Sequence, residues 1–218
     1  SIDASMRSFM IALFIVFLYM IFYYYGAGIV SNVALIANLF FIFGVLASTG
    51  MVLTLPGIAG IVLTIGMSVD ANVLIYERIR EELTNGKGVR LAIEDGYKSA
   101  YTSIIDANVT TLLTGIILYI FGSGPIKGFA TTLIIGILTS LFCAIFITRL
   151  VISARLNKGK SISFSTRLTK GAFKNLNIDF IGKRKVFYVL SAIIILFGGY
   201  SLSTKGLDYG IDFSGACF

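Results

Sequence analysis

Two identical tetrapeptides, Asp70-Ala71-Asn72-Val73 and Asp106-Ala107-Asn108-Val109, each set a carboxylate inside a strongly apolar stretch. An ionisable group in a membrane span costs about 2.5–3.5 kcal/mol at the helix centre on insertion scales, so such an acid faces protein or water and marks a path for ions or substrate. The chemistry within its reach is proton exchange. The chain has no histidine, so imidazole shuttling, imidazole metal ligation and any His-based triad are excluded. At about 1.5 Å per residue, Asp70 lies about 10 Å in from Glu77 and Asp106 about 7 Å in from Tyr101, at similar depth on consecutive segments. Facing acids in a low dielectric share a proton more readily than they both ionise, which makes a carrier. The other reading keeps Asp106 hydrated near the interface, capping its helix, and leaves Asp70 as a structural acid.

Ser68, Asn72, Asn108 and Thr110 are the polar neighbours expected for this relay, with Thr64, Thr111, Thr114 and Asn38 at comparable depths. Gly57, Gly60 and Gly66 beside Asp70, with Gly115 and Gly136 further on, are candidates for helix contacts. In lipid, small residues that admit close backbone approach hold helices together. No metal site, cofactor or enzymatic constellation is legible, and protons are the only coupling ion expected. Cys143 and Cys217 form neither a disulfide framework nor a metal spacing. Gly159-Lys160-Ser161 ends like a phosphate loop but lacks its first glycine.

The elements that must carry these residues are membrane helices. At 56% hydrophobic and 13% charged residues, with mean hydropathy +0.90, the chain cannot cover a soluble core with polar surface. About 20 apolar residues make one crossing, which predicts six helices, at residues 6–24, 32–52, 57–76, 101–121, 128–151 and 186–202. The fold class is therefore an all-α polytopic membrane protein. Two long connections, 77–100 and 152–185, hold with Arg149 fifteen of the eighteen basic residues and are separated by an even number of crossings. The positive-inside rule puts both in the cytoplasm and both chain ends outside. The basic residues are topology signals, and no nucleic-acid partner is expected.

Residues 87–100 alternate apolar and charged positions at helical spacing and predict a short amphipathic helix on the cytoplasmic lipid surface. The segment 152–185 is polar and basic and reads as a flexible linker, or alternatively as a docking site for anionic lipid or a partner. In Glu77-Arg78-Ile79-Arg80-Glu81-Glu82, pairs of Glu77 with Arg80 or Glu81 and of Arg78 with Glu82 fall at helical spacing. A chain that starts outside without a signal pattern requires an earlier crossing, so incompleteness at both ends is expected. Residues 204–218 read as the opening of an exported region, with alternation at 207–213 that suits a strand.

The stretch LPGIAGIVLTIGMSVDANVLIYERIREEL (55–83), with DANVTTLLTGIILYIFGSGPIKGFATTLIIGILTSLFCAIFITRL (106–150), resembles the SecD signature, and NIDFIGKRK with GLDYGIDFSG near the end resembles the opening of SecF. The chain is thus similar to the fused SecDF form, within the resistance-nodulation-division (RND) superfamily. The resemblance implies twelve crossings in two pseudosymmetric halves, a bacterial inner-membrane location, and use of the proton-motive force to assist export through the SecYEG translocon. It implies residues 1–151 as a five-helix SecD-like half, 152–185 as the linker, 186–203 as the first SecF-like helix and 204–218 as the start of an exported region. Asp70 stands at the family's proton-relay aspartate, whose counterpart acid and an essential arginine belong to the SecF half. Preprotein would be gripped by exported domains outside this sequence. Ala216 and Cys217 depart from the glycine and basic residue usual after the DFSG segment. Rivals are an RND-type exporter of lipids or small molecules, and a translocon scaffold whose acid never titrates.

Overall fold

The computed structural model describes residues 2–159, 162–166, 169 and 181–206, with residues 2–6 described by backbone alone. Its helices are α1 (Ile2–Tyr24), α2 (Gly26–Ser48), α3 (Leu55–Thr84), α4 (Val89–Phe121), α5 (Pro125–Phe142), α6 (Thr148–Asn157) and α7 (Arg184–Lys205). A π-helical turn, Cys143–Ile147, joins α5 to α6, so residues 125–157 form one rod. Counting that rod once, six helices among the described residues are long and apolar enough to cross a membrane. The expected all-α, six-span class is the observed one. Residues 207–218 of the predicted tail and 177–180 of the SecF-like opening lie outside the described residues.

The chain divides into two compact units, residues 1–172 and 173–218. In the second, α7 is a single apolar helix that ends at Gly206, whose φ of 67° is open to glycine without strain. In the first, α3 is central, packing on α5 and α4, while α2 packs on α5 and α1 on α2. Thr54 starts α3 by accepting the Gly57 amide at 3.1 Å, and Pro56 occupies the first turn, where its missing N–H is harmless. At its far end Asn85 and Gly86 turn the chain into α4.

The α3–α4 turn and the described residues of the second connection up to Thr169 meet at one end of this bundle. The Tyr24 hydroxyl donates to Glu77 at 2.8 Å, Arg80 to the Thr169 carbonyl at 2.8 Å, and Arg90 to Asn157 at 3.5 Å. Arg80 pairs with Glu77 at 2.6 Å as the spacing suggested, whereas Arg78 pairs with Glu81 at 2.8 Å rather than with Glu82. Glu82 and Asp95 both bind Lys87, each at 2.6 Å, clasping the α3–α4 turn. Their carboxylates, Asp95 first, raise the Lys87 ammonium above the ordinary lysine range.

Two expectations change here. Residues 89–100 are not a separate interfacial helix but the first turns of α4, and their apolar stripe is covered by α3. Ala92, Ile93, Gly96, Tyr97 and Ala100 are buried, and a Cβ on Gly96 would stand 2.5 Å from Ile79. The described linker residues Ser163, Phe164 and Thr169 are also docked. Phe164 is 3% exposed against the Tyr76 ring, Ser163 accepts the Ala27 amide at 3.0 Å, and the Thr169 hydroxyl donates to the Tyr23 carbonyl at 3.0 Å. A basic, serine-rich composition hid that Phe164 had a socket.

Candidate functional site

A groove of about 190 Å³ opens between α3 and α4. Its α3 wall carries Met67, Asp70 and Leu74, and its α4 wall carries Ser103, Ala107, Asn108 and Thr111. Met67, Asp70 and Leu74 step by three and four, as do Ser103 to Ala107 and Asn108 to Thr111, the spacing of one helix face. Asp70 is exposed in this groove, on the outer side of the bundle, and none of the lining residues is basic. An acid presented there can take up or release a proton, or meet a cation brought by a neighbouring element.

The second acid of the repeat is elsewhere. Asp106 is exposed but does not line the groove, because two residues along a helix turn a side chain about 200° away from Asn108. The expected facing of Asp70 and Asp106 is therefore corrected: the α4 residue that shares the groove with Asp70 is Asn108. Asn108 is 8% exposed and donates through Nδ2 to the Ile104 carbonyl at 2.8 Å. Thr110 is exposed and donates to the backbone carbonyl of Asp106 at 3.2 Å, and Thr111 does the same to Ala107 at 3.1 Å.

Ser68 and Asn72 are likewise not neighbours of the Asp70 carboxylate. With Thr64 and Tyr76 they form a stripe of four-residue steps on the opposite, fully packed side of α3. Thr64 donates to the Ile61 carbonyl at 2.9 Å, but Ser68 and Asn72, with Asn38 of α2, keep side-chain atoms unpartnered among the described residues. Of the four predicted polar neighbours only Asn108 shares the groove. Ser103 was missed and Thr111 was seen only as a polar group at depth; the four-residue step from Ser103 to Ala107 and the three-residue step from Asn108 to Thr111 were the signals.

The glycines sort by the same two faces. Gly60 and Gly136 stand where α3 and α5 touch: a Cβ on Gly60 would collide with the Thr132 hydroxyl, and one on Gly136 would stand 2.5 Å from Thr64. Gly57 is within 3.3 Å of Thr132 on the same measure, and Gly115 within 3.1 Å of Ile134. Gly66 is the exception. It is exposed with nothing within 4 Å, so its expected role in packing does not hold within this unit.

The sequence profile described as "Protein export membrane protein SecD/SecF, C-terminal" matches residues 2–158. The chain belongs to the SecD/SecF family. Its relatives include the protein translocase subunit SecD of Rhodothermus marinus, 58% identical over 151 residues covering 69% of this chain and 24% of that protein. The SecD of Desulfurispirillum indicum is 57% identical over 151 residues, 69% of this chain and 29% of that protein. The crystal structure of SecDF, a translocon-associated membrane protein from Thermus thermophilus, aligns with a TM-score of 0.87 at 33% identity, over 98% of this chain and 29% of that one. A structure of SecDF in its super-membrane-facing form aligns at 0.83 and 34% identity, over 97% of this chain and 28% of that one. This SecD/SecF-family chain thus spans about a quarter of the curated relatives' length.

Proposed function

We propose that this chain is the SecD membrane half, followed by the first SecF-type helix, of a proton-driven accessory to the Sec translocon that assists protein export across the bacterial inner membrane. The observation that carries the reading is the Asp70 carboxylate, set at depth in an apolar helix and displayed in a groove on the bundle's outer face. Family membership supports the export role, and the exposed acid supports proton coupling. In the proposed cycle Asp70 alternates between protonated and ionised forms, each favouring a different packing of this face against the SecF half. The relay role goes to Asp70 and not to Asp106, which lies outside the groove. The basic end bearing Arg78, Arg80 and Arg90 is cytoplasmic in this scheme, and the partners are SecYEG, the SecF half and, through exported domains, the preprotein.

The test is Asp70→Asn in the full-length protein, assayed in inverted membrane vesicles. Insertion and level are unchanged, while the stimulation of preprotein translocation by the proton-motive force is lost entirely. Stimulation equal to wild type would overturn the reading.

A further inference from the structure

We propose that Asn108 is a positioning residue for the proton carrier, its side-chain oxygen accepting the O–H of Asp70 in the protonated state. The inference rests on Asp70 being the carrier. An asparagine amide has two donors and one acceptor oxygen, and which end faces a neighbour is decided by its partners. In Asn108 the Nδ2 is tied back to the Ile104 carbonyl at 2.8 Å, which turns the oxygen away from the helix backbone. That oxygen is enclosed and has no hydrogen-bond partner among the described residues. An enclosed acceptor left unpaired is costly, so the site calls for a donor.

The groove restricts which donor that is. The Thr111 hydroxyl is already given to the Ala107 carbonyl at 3.1 Å. Ser103 lies five residues back on the same helix, beyond the three- or four-residue step at which helix side chains meet. Met67, Leu74 and Ala107 have no polar proton, which leaves Asp70 among the lining side chains. The ionised carboxylate is acceptor-only and gains nothing from Asn108, whereas the protonated carboxyl is a donor. Asn108 therefore discriminates between the two states of the carrier and fixes the carboxyl against α4 in one of them. Asp70 is the one titratable residue of the lining, and Asp106 points away from it on α4. On the other elements packed against α3, the charged residue of α5 is Lys127 in its first turn, α2 has none, and α1 brings Tyr24 to Glu77 at the opposite end from the α5 start.

The test is infrared difference spectroscopy between high and low pH on the full-length protein in lipid, with isotope-labelled aspartate. The carboxyl band absent from Asp70→Asn belongs to Asp70. In Asn108→Leu, which keeps the bulk but cannot accept, that band moves to higher wavenumber; in Asn108→Gln, which keeps the oxygen, it returns toward its wild-type position. A band unmoved in Asn108→Leu overturns this role for Asn108 while leaving Asp70 as carrier. No titrating Asp70 band in wild type overturns both. Should Asn108→Leu fail to insert, Asn108→Ser, too short to reach across the groove, takes its place with the same shift expected.

Discussion

The two Asp-Ala-Asn-Val copies are the same four residues with opposite assignments. In α3 the aspartate faces the groove and Asn72 is sealed in the core; in α4 the asparagine faces the groove and Asp106 points elsewhere. Two positions on a helix are about 200° apart, so each copy must put its acid and its amide on opposite sides. Which side becomes the groove is decided by packing: α3 turns Gly60, Thr64, Ser68 and Asn72 inward, and α4 turns Ile104, Asn108 and Gly115 inward. A motif thus supplies the groups, and the packed face decides which one can act.

The sharpest way to break that comparison is to exchange the groups within one copy. The double variant Asp70→Asn, Asn72→Asp keeps composition but moves the acid into the core. It should give no proton-dependent stimulation of export and lose about 3–5 kcal/mol of stability from an uncompensated buried charge, read as thermal unfolding in detergent. Next come the glycines. Gly60→Val on the packed face should cost about 1–3 kcal/mol by overpacking, while Gly66→Ala on the open face should gain about 0.5–1 kcal/mol of helix stability; equal effects would mean that the two faces are not distinct. Asp106→Asn, outside the groove, should change unfolding by less than about 0.5 kcal/mol and leave export stimulation at the wild-type level. The smallest effect concerns Lys87. Its raised proton affinity means that the clasp of the α3–α4 turn is complete below the ordinary lysine value of about 10.4 and is lost only as pH rises through the higher folded value. Amide exchange of residues 83–89 should quicken only at that alkaline end.

The six spans were legible, because apolar length reports directly on crossings. The pairing of the two acids was not legible, since depth says nothing about rotation, and rotation follows from which glycines meet which partner helix. The stripe through Ala92 and Gly96 was read as the apolar face of an interfacial helix, because a sequence does not tell that Ile79 continues α3 far enough to cover it. Phe164 was one of three scattered aromatics in a basic loop, and nothing local marked the Tyr76 ring as its seat.

The π-helical turn at Cys143–Ile147 works as a frame correction. Twelve residues separate Gly136, which meets Thr64 of α3, from Thr148, which shares a 2.7 Å hydrogen bond with Tyr97 of α4. In an unbroken α-helix that interval would leave the two about 120° out of line, whereas one surplus residue takes back about 100°. The single rod can therefore address α3 at one level of the bundle and α4 at another without bending; deleting one residue there would restore an ordinary α-turn with Thr148 still facing Tyr97, whereas inserting a further one would swing Thr148 away while sparing every contact upstream.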